Sequence, residues 1–362
     1  MKRKVKFPLV LSLALLCLMN ACYISFNDPG EDYEPIMEIE PGKISTENIL
    51  GFGKIIATDG DHVLVSSQHD INIFKHNSPD IELIQTIEFE GSGGIYSMIV
   101  YRSELYFGRP DSDGTGTVYV YSRHGDVWEL SQTIRKGSGA NTFGRAIDID
   151  GETMVIGASG DRGNCDASDA CGGMVYVYQR QAGVWEETRE MQAEQPERGD
   201  WFGTCVGIYG DLMLVGSPNQ SLHLYQFNGD WELLKTEEIH ARAIAHSENH
   251  FMVSGDFEIR AFIFEADGSL SENGVNVYSR NDISYYGEII EMRDSLAILD
   301  RVNAGCYLLK YGNRQWIIER TFSPDPGEYC TFQGLAITDQ YVIIGGENYE
   351  DPMFGFVYFR DL

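Results

Sequence analysis

The residues best placed for chemistry lie in one loop, Gly160-Asp161-Arg162-Gly163-Asn164-Cys165-Asp166-Ala167-Ser168-Asp169-Ala170-Cys171-Gly172-Gly173. Asp161, Asn164, Asp166 and Asp169 offer hard oxygen ligands of the kind Ca2+ takes. The same residues also make an ordinary solvated acidic turn. Cys165 and Cys171 bracket the centre of the loop, and a disulfide between them would close a small ring and stiffen it. No cysteine spacing is CxxC, which argues against a zinc ribbon. His246 and His250 are four apart, but no helical pattern surrounds them and no HExxH occurs. There is no GxSxG nucleophile elbow. Gly91-Ser92-Gly93-Gly94 lacks the GK[ST] that a phosphate loop needs. Carboxylates are numerous, so a pair at glycosidase spacing stays open, but nothing singles one out. Arg198-Gly199-Asp200 spells an adhesion tripeptide, though its Gly-Asp belongs to the repeat described below.

Lys2, Arg3, Lys4 and Lys6 begin the chain, and Pro8 to Met19 is almost wholly apolar. That stretch is too short for a mature membrane span and suits a signal segment. It ends in Leu18-Met19-Asn20-Ala21-Cys22, which resembles a lipobox and makes Cys22 the lipidation site. Cleavage after Ala21 without lipidation is the alternative. Residues 1–21 are therefore read as a lipoprotein signal peptide, 22–34 as a tether and 35–362 as the folded part. Tyr23 is not the Asp that retains lipoproteins at an inner membrane, so an exported chain anchored to the cell envelope, with the outer membrane favoured, is expected.

Acidic residues number 55 against 27 Lys and Arg, a net charge of −28, and the leader removes only basic ones. Such a polyanion repels phosphate backbones, so nucleic acid is rejected as a partner. Membrane contact is expected only through the N-terminal lipid. Cations and basic partners are favoured.

The elements that must position these residues form a repeat. An apolar strand recurs as Val63–Ser66, Leu105–Gly108, Met154–Gly157, Met213–Gly216, Phe251–Ser254, Leu296–Leu299 and Val342–Gly345, at a mean spacing of about 46 residues. A tight Gly/Asp turn precedes the strand in most copies. An alternating aromatic strand follows, such as Val118-Tyr119-Val120-Tyr121 or Val175-Tyr176-Val177-Tyr178. A strand led by Trp128, Trp185, Trp231 or Trp316 closes the unit. Four of the five tryptophans share that register. β-branched and aromatic runs between Gly, Asp and Asn turns are strand signals. Seven copies at this period predict an all-β fold, a seven-bladed β-propeller with four-stranded blades.

Phe143-Gly144 leads into Met154-Val155-Ile156-Gly157-Ala158, and Phe202-Gly203 into Met213-Leu214-Val215-Gly216-Ser217-Pro218. Phe52-Gly53 and Tyr286-Gly287 are weaker forms, and the copies near 95 and 243 lack the pair. This pattern resembles the FG-GAP (integrin α-like) repeat of bacterial propeller lipoproteins. The resemblance implies a binding or adhesion scaffold for a protein or glycan partner. The family's Ca2+ cage would lie between the first two strands, where this chain has only a tight turn, so it does not carry over.

The seventh copy stops at its third strand. Pro35-Ile36-Met37-Glu38-Ile39-Glu40 alternates apolar and polar and is predicted to supply the missing outer strand and close the ring, since an open edge is a liability. Cys306 and Cys330 begin strands on what would be one rim, making a second candidate disulfide. Cys205 holds an equivalent place and competes for Cys171. The expected function is a cell-envelope binding scaffold acting through rim loops. The alternatives are a carbohydrate-active enzyme at the central channel and a purely structural envelope lipoprotein. Replacing Cys22 with Ala is expected to abolish palmitate labelling and move the protein from the membrane to the soluble fraction. Labelling that survives C22A contradicts the anchor.

Overall fold

A computed structural model of the chain describes residues 3–6, 36–40, 43–47, 49–77, 80–90, 94–110, 116–137, 142–161, 172–197, 199–219, 221–255, 258–265, 270–273, 286–301, 305–323, 330–348 and 354–362. These form seven antiparallel sheets and, among the described residues, no helix. Each sheet is a blade whose strands follow chain order from inside to outside. Blades 1 to 6 span 56–88, 97–135, 146–191, 205–237, 243–273 and 286–322. Blade 7 spans 330–361 and takes its fourth strand from the N-terminal region.

That fourth strand is Lys43–Glu47, which pairs with Phe354–Asp361 through Ile44↔Val357. The ring is closed by an N-terminal strand, but Ile36–Glu40 lies one position further out and pairs with Lys43–Glu47. The expected closing segment is thus corrected by one strand. Ile44 decides it. It is fully buried with Val357 and Phe359, while Thr46 exchanges hydrogen bonds with the Gly355 backbone. Arg3–Lys6, inside the expected leader, pairs on the far side of Ile36–Glu40. Cys22 and the tether lie outside the described residues.

The second strands read as unbroken apolar runs because neighbouring blades cover both their faces. His62–Ser66 and Leu212–Gly216 are buried at every position. Among the described residues the core divides into seven clusters, one at each junction between blades. The register tryptophans are buried in four of these junctions. Trp185 donates its indole N–H to the Tyr106 hydroxyl of the preceding blade at 3.3 Å. A repeated clamp joins outer strands. Gln85 meets the Trp128 backbone at 2.8 and 2.9 Å, and Gln132 meets the Trp185 backbone at 2.9 and 3.0 Å.

The Phe-Gly pair has a mechanical meaning. Phe52, Phe143 and Phe202 are completely buried, which contributes about 1.5–3 kcal/mol each. Each Phe-Gly turn sits in a slot made by two glycines of the preceding blade. A Cβ on Gly108 would stand 2.0 Å from the Gly144 oxygen, and one on Gly116 1.8 Å from the Phe143 oxygen. Gly157 and Gly173 repeat this against Gly203 and Phe202, at 2.0 and 2.1 Å. Gly345 and Gly355 do so against Gly53 and Phe52, at 2.3 and 2.6 Å. Where the second strand ends in Ser66, the next blade has no Phe-Gly. At these three junctions the two halves of the motif answer each other.

Gly157→Val is expected to destabilise the fold by about 3 kcal/mol or more through overpacking. Gly312→Ala, at a glycine with nothing within 4 Å of its Cβ position, should stay within roughly 0.5 kcal/mol of wild type. Urea unfolding of the two variants checks this, and equal midpoints would contradict the slot.

Candidate functional site

The first strand of every blade lines a central channel. Two cavities lie along it, of about 310 and 580 Å³. They share Ile56, Met98, Ile99, Asp148, His246, Glu291 and Met292, which mark the waist. At the waist, three titratable groups from blades 3, 5 and 6 interrupt an otherwise apolar wall.

Asp148 faces the channel because Ala146–Asp150 alternates, with Ile147 and Ile149 turned into the blade. His246 Nε2 stands 2.9 Å from Asp148 Oδ2. The same oxygen accepts the Ile208 N–H at 2.7 Å, and Asp150 Oδ2 accepts the Gly210 N–H at 2.7 Å. Both aspartates thus pin the inner strand of blade 3 to that of blade 4. Burial alone would lower the His246 pKa, but the Asp148 carboxylate outweighs it and the net shift is upward. Glu291 is ringed by protein yet exposed to the channel space. That confinement, with Asp148 beside it, raises its pKa to about 8, against the opposing pull of His246. The waist can therefore hold a proton near neutral pH.

A nucleophile is harder to find. Cys205 lines the upper cavity, but burial pushes its thiol up to about 12, and its Sγ lies 3.5 Å from the Ala241 oxygen as a donor. Such a thiol is inert.

The two mouths differ in charge. Lys54, Arg145 and Arg242 line the smaller, upper cavity, each one or two residues before an inner strand. Asp150 and Glu248 line the lower one, where Arg293 is paired with Asp339. Among the described residues Lys54 and Arg145 have no ion pair.

The residues expected from sequence are not gathered here. Asp161 is buried and accepts a hydrogen bond from the Tyr176 hydroxyl, whose pKa burial and Asp161 raise. Asn164, Cys165, Asp166, Asp169 and Cys171 lie outside the described residues, as do Arg198 and the Gly91–Gly93 turn. Among the described residues no group of three or more His, Cys, Asp and Glu is arranged to hold a metal. Cys306 is a free, buried thiol rather than half of a bridge to Cys330. It packs at the junction of blades 6 and 7 with Leu308 and Leu335, a small apolar filler. Cys205 is likewise free and buried. His250 meets Tyr311 and Trp316 edge to face and does not line either cavity. Sequence reasoning missed Asp148 and Glu291, and it set His246 aside together with His250. Alternation within the first strands marks Asp148, but nothing in the sequence says that three blades meet.

The fold is a seven-bladed β-propeller, and two stretches of it, 135–178 and 185–227, match the model of the FG-GAP repeat. They cover most of blades 3 and 4, which bear the two plainest Phe-Gly pairs. No curated protein matches the chain. Among solved structures it resembles Sqt1 of Saccharomyces cerevisiae, at TM-score 0.54 and 11% identity over 90% of this chain and 100% of that one. It also resembles the computationally designed Ika8 protein, at TM-score 0.53 and 11% identity over 87% and 98%. A chain of the mitotic checkpoint complex matches at TM-score 0.56 and 11% identity over 85% and 90%. At such identity these likenesses concern the fold alone.

The waist gives a pH signature. A carboxyl raised from 4.5 to about 8 favours folding at low pH, and that contribution fades as pH rises from about 5 to 8. His246, also raised, loses its contribution as pH climbs through its folded pKa. Channel water screens Glu291, so Glu291→Gln should match wild type at pH 5 and exceed its stability at pH 9 on the order of 1 kcal/mol. Denaturant midpoints across pH check this, and parallel profiles would contradict the waist electrostatics.

Proposed function

We propose that this protein is an exported lipoprotein of the cell envelope, anchored through Cys22, whose propeller is a rigid scaffold that binds a protein or glycan partner. What supports this reading is the locking of blade to blade. The glycine slots and buried tryptophans leave the frame little freedom, so variation is confined to the turns and the channel mouths, where binding residues concentrate on rigid folds. The acidic surface suits a soluble, envelope-facing domain that avoids nucleic acid.

A second reading, a carbohydrate-active enzyme working in the channel, is favoured by one observation, the meeting of Asp148, His246 and Glu291 at the waist. Against it, Asp148 and Asp150 are tied to backbone amides of the next blade and hold the wall together. A pull-down from envelope extract with a soluble fragment starting at residue 33, which keeps Ile36–Glu40 and Lys43–Glu47, tests the choice. Binding predicts a retained partner in amounts equal for wild type and Glu291→Gln. Turnover of an envelope glycan that disappears in Glu291→Gln would contradict the scaffold and establish the enzyme.

A further inference from the structure

We propose that the basic mouth of the central channel is a binding site for an acidic saccharide, with Lys54 and Arg145 on its carboxylate and Trp201 against its ring. This rests on the binding reading above and names the place and the ligand class.

The three Phe-Gly turns share one geometry. Residues 51, 142 and 201 each have positive φ, at 71°, 63° and 56°. The carbonyl of each accepts from the amide three residues on, Lys54, Arg145 or Thr204, at 3.3, 3.0 and 3.1 Å. Gly51 is the natural occupant of such a position. Trp201 is not. A bulky side chain in the left-handed region is strained, and such strain persists where something else over-determines it. Trp201 gives nothing to the core in return. It is 53% exposed and is the one tryptophan outside the buried register.

Its turn stands beside that of Arg145. Gly157 of blade 3 is in contact with the Gly203 oxygen on one side and accepts the Arg145 N–H at 3.0 Å on the other. The Arg145 charge also reaches Cys205, two residues beyond Gly203. Lys54 and Arg145 line one cavity of about 310 Å³ with Tyr96, Ser97 and Gln333 among apolar residues such as Met98 and Val206. Arg242 adds to the charge there.

The chemistry follows from these parts. A chain of net charge −28 repels anions over most of its surface, so a cationic mouth is where an acidic ligand can settle. Arg and Lys pair with a carboxylate, Arg in a fork that fixes its plane. An exposed indole offers a flat apolar face to the C–H face of a pyranose ring. The mixed polar and apolar wall suits a ring that is hydroxylated at its edge. Deeper in, Asp148 is already paired with His246 and Glu291 can hydrogen-bond sugar hydroxyls, so the anionic group stays with the cations at the mouth.

The test is calorimetric titration of the full mature protein with tri-galacturonate, with its neutral galactose counterpart and with inorganic phosphate. Tri-galacturonate should bind with salt-sensitive affinity, and the neutral sugar should not. Arg145→Gln and Lys54→Gln should each weaken binding about tenfold, the loss of one charge-assisted pair. Trp201→Gly removes the ring and relieves the strained φ. It should weaken binding about fivefold with a melting temperature equal to or above wild type. A purely structural role would lower the melting temperature instead. Unchanged affinity in Arg145→Gln and Lys54→Gln, no binding of tri-galacturonate, or phosphate alone binding as well and indifferently to Trp201→Gly would each overturn the site. Those results leave the scaffold reading to its own pull-down. Release of reducing ends from the probe would overturn the scaffold reading and leave the site standing.

Discussion

One contact carries this propeller, the insertion of a Phe-Gly turn into a slot between two glycines of the preceding blade. A buried phenylalanine supplies apolar area, and the glycines supply the only geometry in which two backbones can approach so closely. The contact repeats at the junctions of blades 7 and 1, 2 and 3, and 3 and 4. The remaining junctions rely on other devices. At the junction of blades 4 and 5, Ala241 takes the place of the Phe-Gly glycine, and a Cβ on Gly216 would stand 2.2 Å from the Cys205 sulfur. Between blades 1 and 2, the Gln85 clamp and the edge-to-face contact of His62 with Trp128 hold the sheets together.

The same turns that lock the blades also arrange the channel mouth. The residue directly after each Phe-Gly pair lies one or two positions before the inner strand, so Lys54 and Arg145 are carried to the rim by the locking device itself. Inside, the inner strands need lateral support because they lie at the narrowest part of the ring. Asp148 and Asp150 provide it by reaching to backbone amides of blade 4. Placing Asp148 there brings it within reach of His246 and near Glu291, and it gives the waist its proton affinity. Architecture and electrostatics thus have common residues.

Much of the fold was legible in the sequence because a propeller repeats its grammar. The second strands, the aromatic third strands and the Trp-led outer strands are each marked by composition, and the incomplete seventh copy announced a closing strand. Its identity was misjudged by one strand. Alternation in Ile36–Glu40 and Lys43–Glu47 is similar and Met37 is as deeply buried as Ile44, so only the pairing of Ile44 with Val357 separates them. The site was far less legible. The loop at 160–173 is rich in ligand types, yet its one described carboxylate, Asp161, turns inward to Tyr176. Asp148, His246 and Glu291 lie in three blades whose meeting is a property of the closed ring. Cys306 illustrates the same limit. Export makes disulfides permissible, but burial at a blade junction makes this thiol a packing group.

Native-state hydrogen exchange tests the central contact most directly, at the amides of Gly144 and Gly203. Both donate within their own blades, to Gly157 and Gly216 at 3.1 Å, at the point where the slot closes over them. If the slot locks the ring, these two turn amides exchange only through global unfolding, as slowly as those of the inner strands. Exchange at the rate of the exposed turn at Gly125, while the strands stay protected, would contradict the account.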